Sequence, residues 1–442
     1  MKILIYSLGL PPFRRGGLVN YSVDLAEQLV MEDDNDVTFL YPGKIPLKKS
    51  NNLSFKKKKV NYPFQCYEMV NPLPVSLTFG NSIDASPFYE KRDKSEIRNF
   101  IKKLSPDVVH IHTIMGLPKE YLEVLKDENV KTVYTTHDYY GLCPKMLTND
   151  SIEKLKSSEC SYDCMLCSAG PSLMKIHLMQ SHFYQVFKES RIVKYIREKQ
   201  RKRVTEELNV YHFNKEQVEK RYQLRKYYLQ MFKLIDYYHF NSSVSESVYK
   251  KYLPNIKGRV LPIVEKGLQR SNIKKETTDH VTIGFLGGVS TKKGFNQIKQ
   301  VTNSLVQKGL SFKLLCAGSE SDDAFFKKTN VNNLGIISRS EINRFYHQID
   351  LLIVPSQWHE TFGLVVLEAL VNNVPVFCSN LVGAKDILSS KFVFDSEQDL
   401  LNKLNGFIKS TVIREKIFEE VKNMSYEISF SNHVKEVIKT FY

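Results

Sequence analysis

The sequence predicts an α/β protein made of two doubly wound parallel-sheet domains. Three observations carry this expectation. The chain has 442 residues, more than one hydrophobic core usually supports. Short β-branched apolar runs alternate with helical segments through the first half, and the alternation restarts after a polar stretch near residue 265. A composition of 42% hydrophobic and 25% charged residues is that of an ordinary globular protein, with no sign of a fibre or of general disorder.

Lys2–Tyr6 is the first strand; it is too short for a signal-peptide core and runs directly into Pro11 and Pro12. Gly16 and Gly17 follow, then a helix from about Tyr21 to Met31, which makes a strand, glycine loop, helix unit. Val37–Tyr41, Asp107–His112 and Val130–Thr136 are strands, the last two flanking a helix near Lys119–Lys126. Between about residues 43 and 88 the pattern dissolves into lysines, prolines and asparagines, including Lys56–Lys59, and an irregular insertion with a solvated lysine loop is expected. A second insertion covers about residues 140–232. Its stretch from Leu173 to Phe232, nearly empty of glycine and proline, reads as two or three helices. Tyr237–Asn241 is the strand that closes an N-terminal domain of residues 1–264.

The lysine-rich segment Glu265–His280 suits an inter-domain connection. Strands at Val281–Leu286, Phe312–Ala317, Leu351–Pro355, Val374–Ser379 and Phe392–Phe394 then define a C-terminal domain over residues 265–425. Residues 426–442 form a last helix, expected to pack back on the N-terminal domain. Two such sheets side by side are expected to place the carboxyl ends of their strands around a shared cleft, where ligands of open parallel sheets bind.

The formal charge of +15 calls for an anionic partner without choosing among phosphate, nucleic acid and an acidic membrane. No apolar run reaches the length of a spanning helix, so a cytoplasmic protein is expected. Leu173–Arg203 mixes apolar and basic residues at helical spacing, compatible with peripheral contact at the inner face of an anionic membrane; solvated helices packed on the sheet are the plain alternative. Seven cysteines without an export signal argue for free thiols or a metal site rather than disulfides. Cys160, Cys164 and Cys167 have the spacing of radical S-adenosylmethionine iron–sulfur enzymes, but they follow several strands in a polar loop. With Cys143 they make a four-thiolate set suited to structural zinc, and reduced thiols are the alternative.

Chemistry concentrates in two segments of the second half. In Pro355–Ala369 a strand end, a loop and a helix carry Glu360 and Glu368, eight positions apart. With a helix starting near Thr361, the two carboxylates lie roughly 12 Å apart along the axis and about 80° around it. That span suits a ligand with hydroxyls at both ends and a diphosphate between them, which helix-terminal N–H groups favour. The second segment, Phe285–Phe295, is a strand, a turn with Gly287, Gly288 and Ser290, and a basic helix entrance with Lys292 and Lys293, placed to meet phosphate.

The first of these segments resembles the Glu-x7-Glu element of family 4 glycosyltransferases, and the chain from Met1 to about Leu400 is similar to retaining GT-B enzymes of that family. The resemblance implies two Rossmann-like doubly wound domains facing a cleft. It implies that Glu360 holds hexose hydroxyls near the reacting carbon, that Phe362 and Gly363 lie beside the diphosphate, and that Glu368 binds the ribose. Gly287, Gly288, Ser290 and Lys293 fall in the family's phosphate loop, where an arginine and a lysine commonly neutralise the leaving diphosphate. Lys293 matches; the arginine position is Gly288, and Lys292 or another cation is expected to substitute. Gly16 and Gly17 correspond to the glycine loop set against donor phosphate and acceptor. His137, in Val133–Tyr139, matches the strand-end histidine that contacts the reacting sugar, while His110 and His112 are expected to support the core.

The implied reaction moves a hexose-type sugar from a UDP- or GDP-sugar to a saccharide or lipid-linked acceptor with retention of configuration. The departing phosphate accepts the acceptor's proton, and no metal or other cofactor is required. No covalent nucleophile or acid–base pair of the glycosidase kind stands out. A GT-B sugar-nucleotide epimerase and a non-catalytic sugar-nucleotide-binding scaffold are the rival readings, the second favoured by Gly288. Nucleic-acid binding rests on charge alone and is not assigned.

Overall fold

A computed structural model describes residues 1–32, 35–46, 51–75, 84–142, 172–181, 184, 187, 190, 213–272, 275, 277, 278 and 280–442. The chain forms two compact units. Unit 1 comprises Met1–His239, Tyr249–Arg259 and Val434–Tyr442, and unit 2 comprises Phe240–Val248 and Val260–His433.

The sheet of unit 1 has eight strands in the order β3-β4-β2-β1-β5-β6-β7-β8. They are β1 (Lys2–Tyr6), β2 (Asp36–Pro42), β3 (Ser54–Lys58), β4 (Gln65–Val70), β5 (Val108–Ile111), β6 (Lys131–Thr135), β7 (Tyr237–Phe240) and β8 (Gly258–Val260). The strands from β4 to β7 in that order run parallel, and β3 lies antiparallel at the edge. Ile3, Leu4, Ile5, Val108, Val109, Ile111, Val133 and Tyr134 are fully or almost fully buried, as continuous apolar runs in a sheet covered on both faces require. Helices α1 (Gly17–Met31), α2 (Lys94–Leu104) and α3 (Lys119–Asp127) pack on the sheet, α4 (Leu173–Gln180) follows them in the chain, and α5 (Lys215–Lys233) packs against α3. Helix α6 (Ser243–Tyr252) follows β7.

The described part of residues 43–88 is not an irregular insertion, because β3 and β4 fall within it and extend the sheet. The lysines that disguised β3 are its defence as an edge: Lys56, Lys57 and Lys58 are exposed, and Lys58 pairs with Glu68 at 3.2 Å. Phe55, the apolar residue among them, stacks on Phe100 of α2 at 3.9 Å between ring centroids.

Unit 2 holds a six-stranded, wholly parallel sheet in the order β11-β10-β9-β12-β13-β14. Its strands are β9 (Thr282–Leu286), β10 (Lys313–Ala317), β11 (Val331–Asn333), β12 (Leu351–Val354), β13 (Val376–Ser379) and β14 (Val393–Phe394). Between them run α7 (Phe295–Gln307), α8 (Arg339–His347) and α9 (Leu364–Val371), followed by α10 (Glu397–Lys409) and α11 (Thr411–Asn423). The last helix, α12 (Phe430–Phe441), begins in unit 2 and ends in unit 1, where Phe441 packs on His239 at 4.6 Å and Lys131 Nζ donates to the Tyr442 carbonyl at 2.8 Å. Among the described residues no helix is long and apolar enough to cross a membrane.

Candidate active site

Each sheet has one place where its strand order reverses, and ligands of open α/β sheets gather at the carboxyl ends of the strands there. In unit 2 the reversal lies between β9 and β12. The loops leaving these two strands carry Gly287–Lys293 and Pro355–Gly363. They are stitched together: Gln357 N donates to Lys292 O at 2.9 Å, and Ser356 Oγ to the same oxygen at 3.0 Å. Gly294 caps α7 at φ 74°, and a Cβ there would lie 1.8 Å from Pro355 O. Only glycine lets the two backbones approach so closely.

Across this junction Lys293 Nζ meets Glu360 Oε1 at 2.7 Å. The glutamate side chain is 10% exposed and the lysine 45%, so the carboxylate is held in a partly desolvated position while the ammonium faces outward. The Glu360 loop is fixed from the far side by residues after β13. Glu360 N donates to Leu381 O at 2.9 Å, Gly383 N to Glu360 O at 3.0 Å, and Ala384 N to Phe362 O at 2.6 Å. Ser242 Oγ donates to Thr361 O at 2.6 Å.

This pinning corrects two expectations. Helix α9 starts at Leu364, not near Thr361, because the loop 360–363 bonds to 381–384 and Gly363 turns the chain at φ 99°. Glu360 therefore precedes the helix, and the axial separation inferred from a continuous helix does not apply. Phe362 is only 2% exposed, so its ring belongs to the core and does not face a ligand. Gly363 also leaves room for the acid: a Cβ there would lie 3.4 Å from Glu360 Oε2 and 2.8 Å from Val382 Cγ1.

In the loop after β9, Gly287 N donates to Ala317 O at 2.9 Å and Ser290 N to Gly288 O at 2.9 Å, while Ser290 Oγ accepts from Lys293 N at 3.4 Å. A Cβ on Gly288 would meet nothing within 4 Å, so this glycine is not required by packing. Lys292 holds its ammonium 4.5 Å from the centre of the Trp358 ring, and burial lowers its pKa to about 8. Trp358, the single tryptophan of the chain, was not singled out from the sequence, although its place two residues before Glu360 was the available signal.

Glu368 sits inside α9, partly buried. Tyr346 Oη donates to its Oε2 at 2.9 Å and also lies 3.1 Å from Val365 O. Burial pushes the Glu368 carboxyl above the usual range, Tyr346 opposes that, and Glu265, itself ion-paired with Arg339, adds to it. Tyr346, Glu265 and Arg339 are neighbours the sequence did not disclose, being far apart along the chain. Glu368→Ala is expected to weaken binding of a nucleoside diphosphate roughly tenfold or more, the worth of a hydrogen bond to a charged group, with an unchanged unfolding midpoint. Calorimetric titration with UDP and GDP checks it, and wild-type affinity for both would refute the role.

In unit 1 the reversal lies between β1 and β5. Gly16 caps α1 at φ 131° and Gly17 opens the helix, whose first turn has no acidic residue and no side-chain cap. Its leading N–H groups therefore carry the positive end of the helix dipole with no built-in anion. His137 follows β6, and its Nε2 lies 2.9 Å from Nδ1 of His112, which follows β5. Burial, and after it His239, pulls His137 down to about 3; burial, with His110, His137 and His239 adding to it, keeps His112 well below the usual histidine value. Asp138 is pushed up to about 6 by burial, against a hydrogen bond from Tyr140 N.

These shifts carry a sign. Both histidines bind fewer protons folded than unfolded below about pH 6.5, so they remove stability as pH falls from there toward 3. Asp138 works in the opposite direction, between its unfolded value near 4 and about 6. Burial also raises the carboxyls of Glu368 and Asp350, which act with Asp138, so the histidine contribution is read by difference: the unfolding temperature is expected to fall less, or rise more, between pH 7.5 and 5 in His112→Asn than in the parent. Scanning fluorimetry across that range measures it; an equal slope in both proteins would exclude His112 as a source.

Among the described residues no group of three or more histidine, cysteine or acidic side chains is poised to hold a metal. Cys143, Cys160, Cys164 and Cys167 lie outside the described residues. Cys66, Cys316 and Cys378 are buried free thiols.

Comparison with known proteins agrees with this architecture. Residues 269–424 match the family described as glycosyl transferases group 1, and residues 15–156 match glycosyltransferase family 4. An uncharacterized 41.2 kDa protein in the cps region of Klebsiella pneumoniae is 25% identical over 210 residues, 46% of this chain and 54% of that protein. The capsular polysaccharide biosynthesis glycosyltransferase CapM of Staphylococcus aureus is 29% identical over 155 residues, 32% of this chain and 40% of that one. The matches thus span about half the length of these two relatives. Sucrose-phosphate synthase from Thermosynechococcus elongatus superposes with a TM-score of 0.54 at 13% identity, covering 99% of this chain and 97% of that one, a likeness of fold. The chain belongs to the GT-B glycosyltransferases and is a transferase enzyme.

Proposed function

We propose that the protein is a retaining hexosyltransferase of surface or capsular polysaccharide assembly, taking its sugar from a UDP- or GDP-sugar and passing it to a saccharide or lipid-linked acceptor. The observation that carries this reading is the Lys293–Glu360 pair at the strand reversal of unit 2, a cation and a carboxylate held 2.7 Å apart by two stitched loops. A nucleotide sugar supplies a partner for each. Its diphosphate draws Lys293 away, its hexose hydroxyls donate to Glu360, and its ribose reaches Glu368. Gly287, Gly288, Ser290 and the backbone of Phe362 and Gly363 border the phosphates in this reading, while Gly16, Gly17 and His137 are carried over from the family resemblance. Departure of the nucleoside diphosphate leaves an oxocarbenium-like carbon, which the acceptor oxygen attacks on the same face while the leaving phosphate oxygen takes its proton. The name of the Staphylococcus aureus relative supports the polysaccharide setting. Peripheral contact with the inner face of an anionic membrane would bring a lipid-linked acceptor within reach, and liposome binding that salt abolishes is its test.

Gly288 removes one cation from the phosphate loop, and Lys292 supplies it in this reading. Its ammonium rests on the Trp358 face with no carboxylate partner among the described residues, so anion binding costs no ion pair. Lys292→Ala is expected to lower kcat/KM about tenfold, and Gly288→Arg in that background to restore part of the loss, since a Cβ at position 288 meets nothing within 4 Å. Trp358 fluorescence should report nucleotide binding in the parent and lose that response in Lys292→Ala.

The direct experiment incubates the protein with UDP- and GDP-hexoses and a panel of saccharide and lipid-linked acceptors, following nucleotide release and the anomeric signals of the product. An α-linked product from an α-linked donor supports the proposal. Inversion defeats the stereochemical assignment, and failure of every nucleotide sugar to bind defeats the donor site.

A further inference from the structure

Unit 1 gathers four histidines around β5, β6 and β7. His110 Nε2 lies 2.7 Å from Thr135 Oγ1, and His239 Nδ1 lies 3.0 Å from the same hydroxyl. His110 Nδ1 is 2.6 Å from Tyr442 Oη. Hydroxyl groups both donate and accept, so these contacts are satisfied by more than one arrangement of protons. The pair formed by His112 and His137 is different, because it joins two imidazoles with no hydroxyl between them.

We infer that His112 is a positioning residue for His137: its Nδ1–H donates to His137 Nε2, which fixes the proton of His137 on Nδ1 and makes that ring a neutral N–H donor rather than a base. The function of that donor rests on the assignment of His137 to the sugar; the proton arrangement itself does not.

His112 Nδ1 and His137 Nε2 are 2.9 Å apart, so one proton lies between them. The other nitrogen of His112, Nε2, is buried and has no hydrogen-bond partner among the described residues. If His137 were the donor, neutral His112 would carry its own proton on that Nε2, leaving an N–H stranded away from water; buried orphan N–H groups are the rarest kind. If His112 donates, its Nε2 is a bare lone pair and no donor is stranded. Neutrality of both rings follows from burial, which opposes a charge on either one. A neutral His137 that accepts at Nε2 has only Nδ1 left for its proton.

The surroundings hold this arrangement. His112 is 0% exposed, its backbone N donates to Tyr6 O at 2.9 Å, and its ring stacks on His110 at 4.3 Å. Tyr21 meets the edge of His137 at 5.1 Å between centroids. His112 therefore has little freedom to rotate and exchange its nitrogens.

The test is nitrogen-15 spectroscopy of the full-length protein labelled at histidine, with the two rings assigned by the single variants His112→Asn and His137→Asn. The expected result is that both His112 and His137 show a protonated Nδ1 and a bare Nε2 at pH 7.5. An Nε2–H signature at either ring, or a cationic ring, overturns the inference, with or without transferase activity. A kinetic arm reads its consequence. Asparagine can place an amide N–H where His112 Nδ1–H lies, so His112→Asn is expected to keep kcat within about threefold, whereas His112→Leu lowers kcat on the order of tenfold with the KM for donor little changed. Equal kcat in the two variants overturns the positioning role. Wild-type activity in His137→Ala, with the Nδ1–H signatures intact in the parent, would instead remove His137 from the proposed reaction and leave the proton arrangement standing.

Discussion

Glu360→Ala and Lys293→Ala are each expected to lower kcat for sugar transfer about 10²–10³-fold, the usual cost of removing one preorganised charge from a reacting centre. The two variants should part company in binding. Without donor, Lys293 and Glu360 neutralise one another at 2.7 Å, so a nucleoside diphosphate has to compete with the carboxylate for the ammonium. Glu360→Ala releases that ammonium, and UDP or GDP alone should bind as tightly as to the parent protein or more tightly. Lys293→Ala removes the cation and should weaken the same ligands roughly tenfold. Because both residues act on one ligand, the double variant should lose much less than the product of the single losses. Stability should change by about 1 kcal/mol or less, since the lysine is half exposed and water screens the pair. Lys293→Arg is not a conservative control: its planar fork is longer and does not fit a point contact already made by Glu360. Steady-state kinetics, calorimetric titration and urea unfolding measure the three quantities. Parent-level kcat in both single variants would sink the assignment of this pair.

The sequence disclosed most of the strands that are continuous apolar runs, though not β4, whose Gln65 and Glu68 interrupt its buried residues. Val108–Ile111, Thr282–Leu286 and Leu351–Val354 are continuous apolar runs whose meaning does not depend on neighbours. It failed at β3, where three consecutive lysines guard an edge and hide the strand, and at α2, whose apolar face is only Ile97, Phe100 and Ile101. The start of α9 was misplaced for a related reason. Nothing local says that Glu360 and Gly383 will be hydrogen-bonded, and it is that distant bond which keeps 360–363 out of the helix. Site residues on the motif loops were legible because phosphate recognition needs glycine, hydroxyl and cation in short order. Those that act through space were not: Tyr346 reaches Glu368 from another helix, and the pairing of His112 with His137 joins the ends of two strands separated by a helix.

Gly294→Ala is the substitution expected to damage unit 2 most. Two separate costs add there. At φ 74° an alanine pays the left-handed penalty, about 1–2 kcal/mol. Its methyl would also fall 1.8 Å from Pro355 O, a backbone atom that cannot swing aside as a side chain would. The loop after β9 must then part from the end of β12, which breaks the bonds from Gln357 N and Ser356 Oγ to Lys292 O. A total of about 3 kcal/mol or more is expected, at the upper end of single substitutions. Function should fall with it, because the same separation draws Lys293 away from Glu360 and Lys292 away from Trp358. Gly288→Ala is the matched control: a methyl there meets nothing within 4 Å, so stability should stay within about 0.5 kcal/mol. Urea unfolding of both variants, read by Trp358 fluorescence beside the junction, separates the cases. A Gly294→Ala protein as stable as the control would mean that the two loops are not held together by this backbone contact.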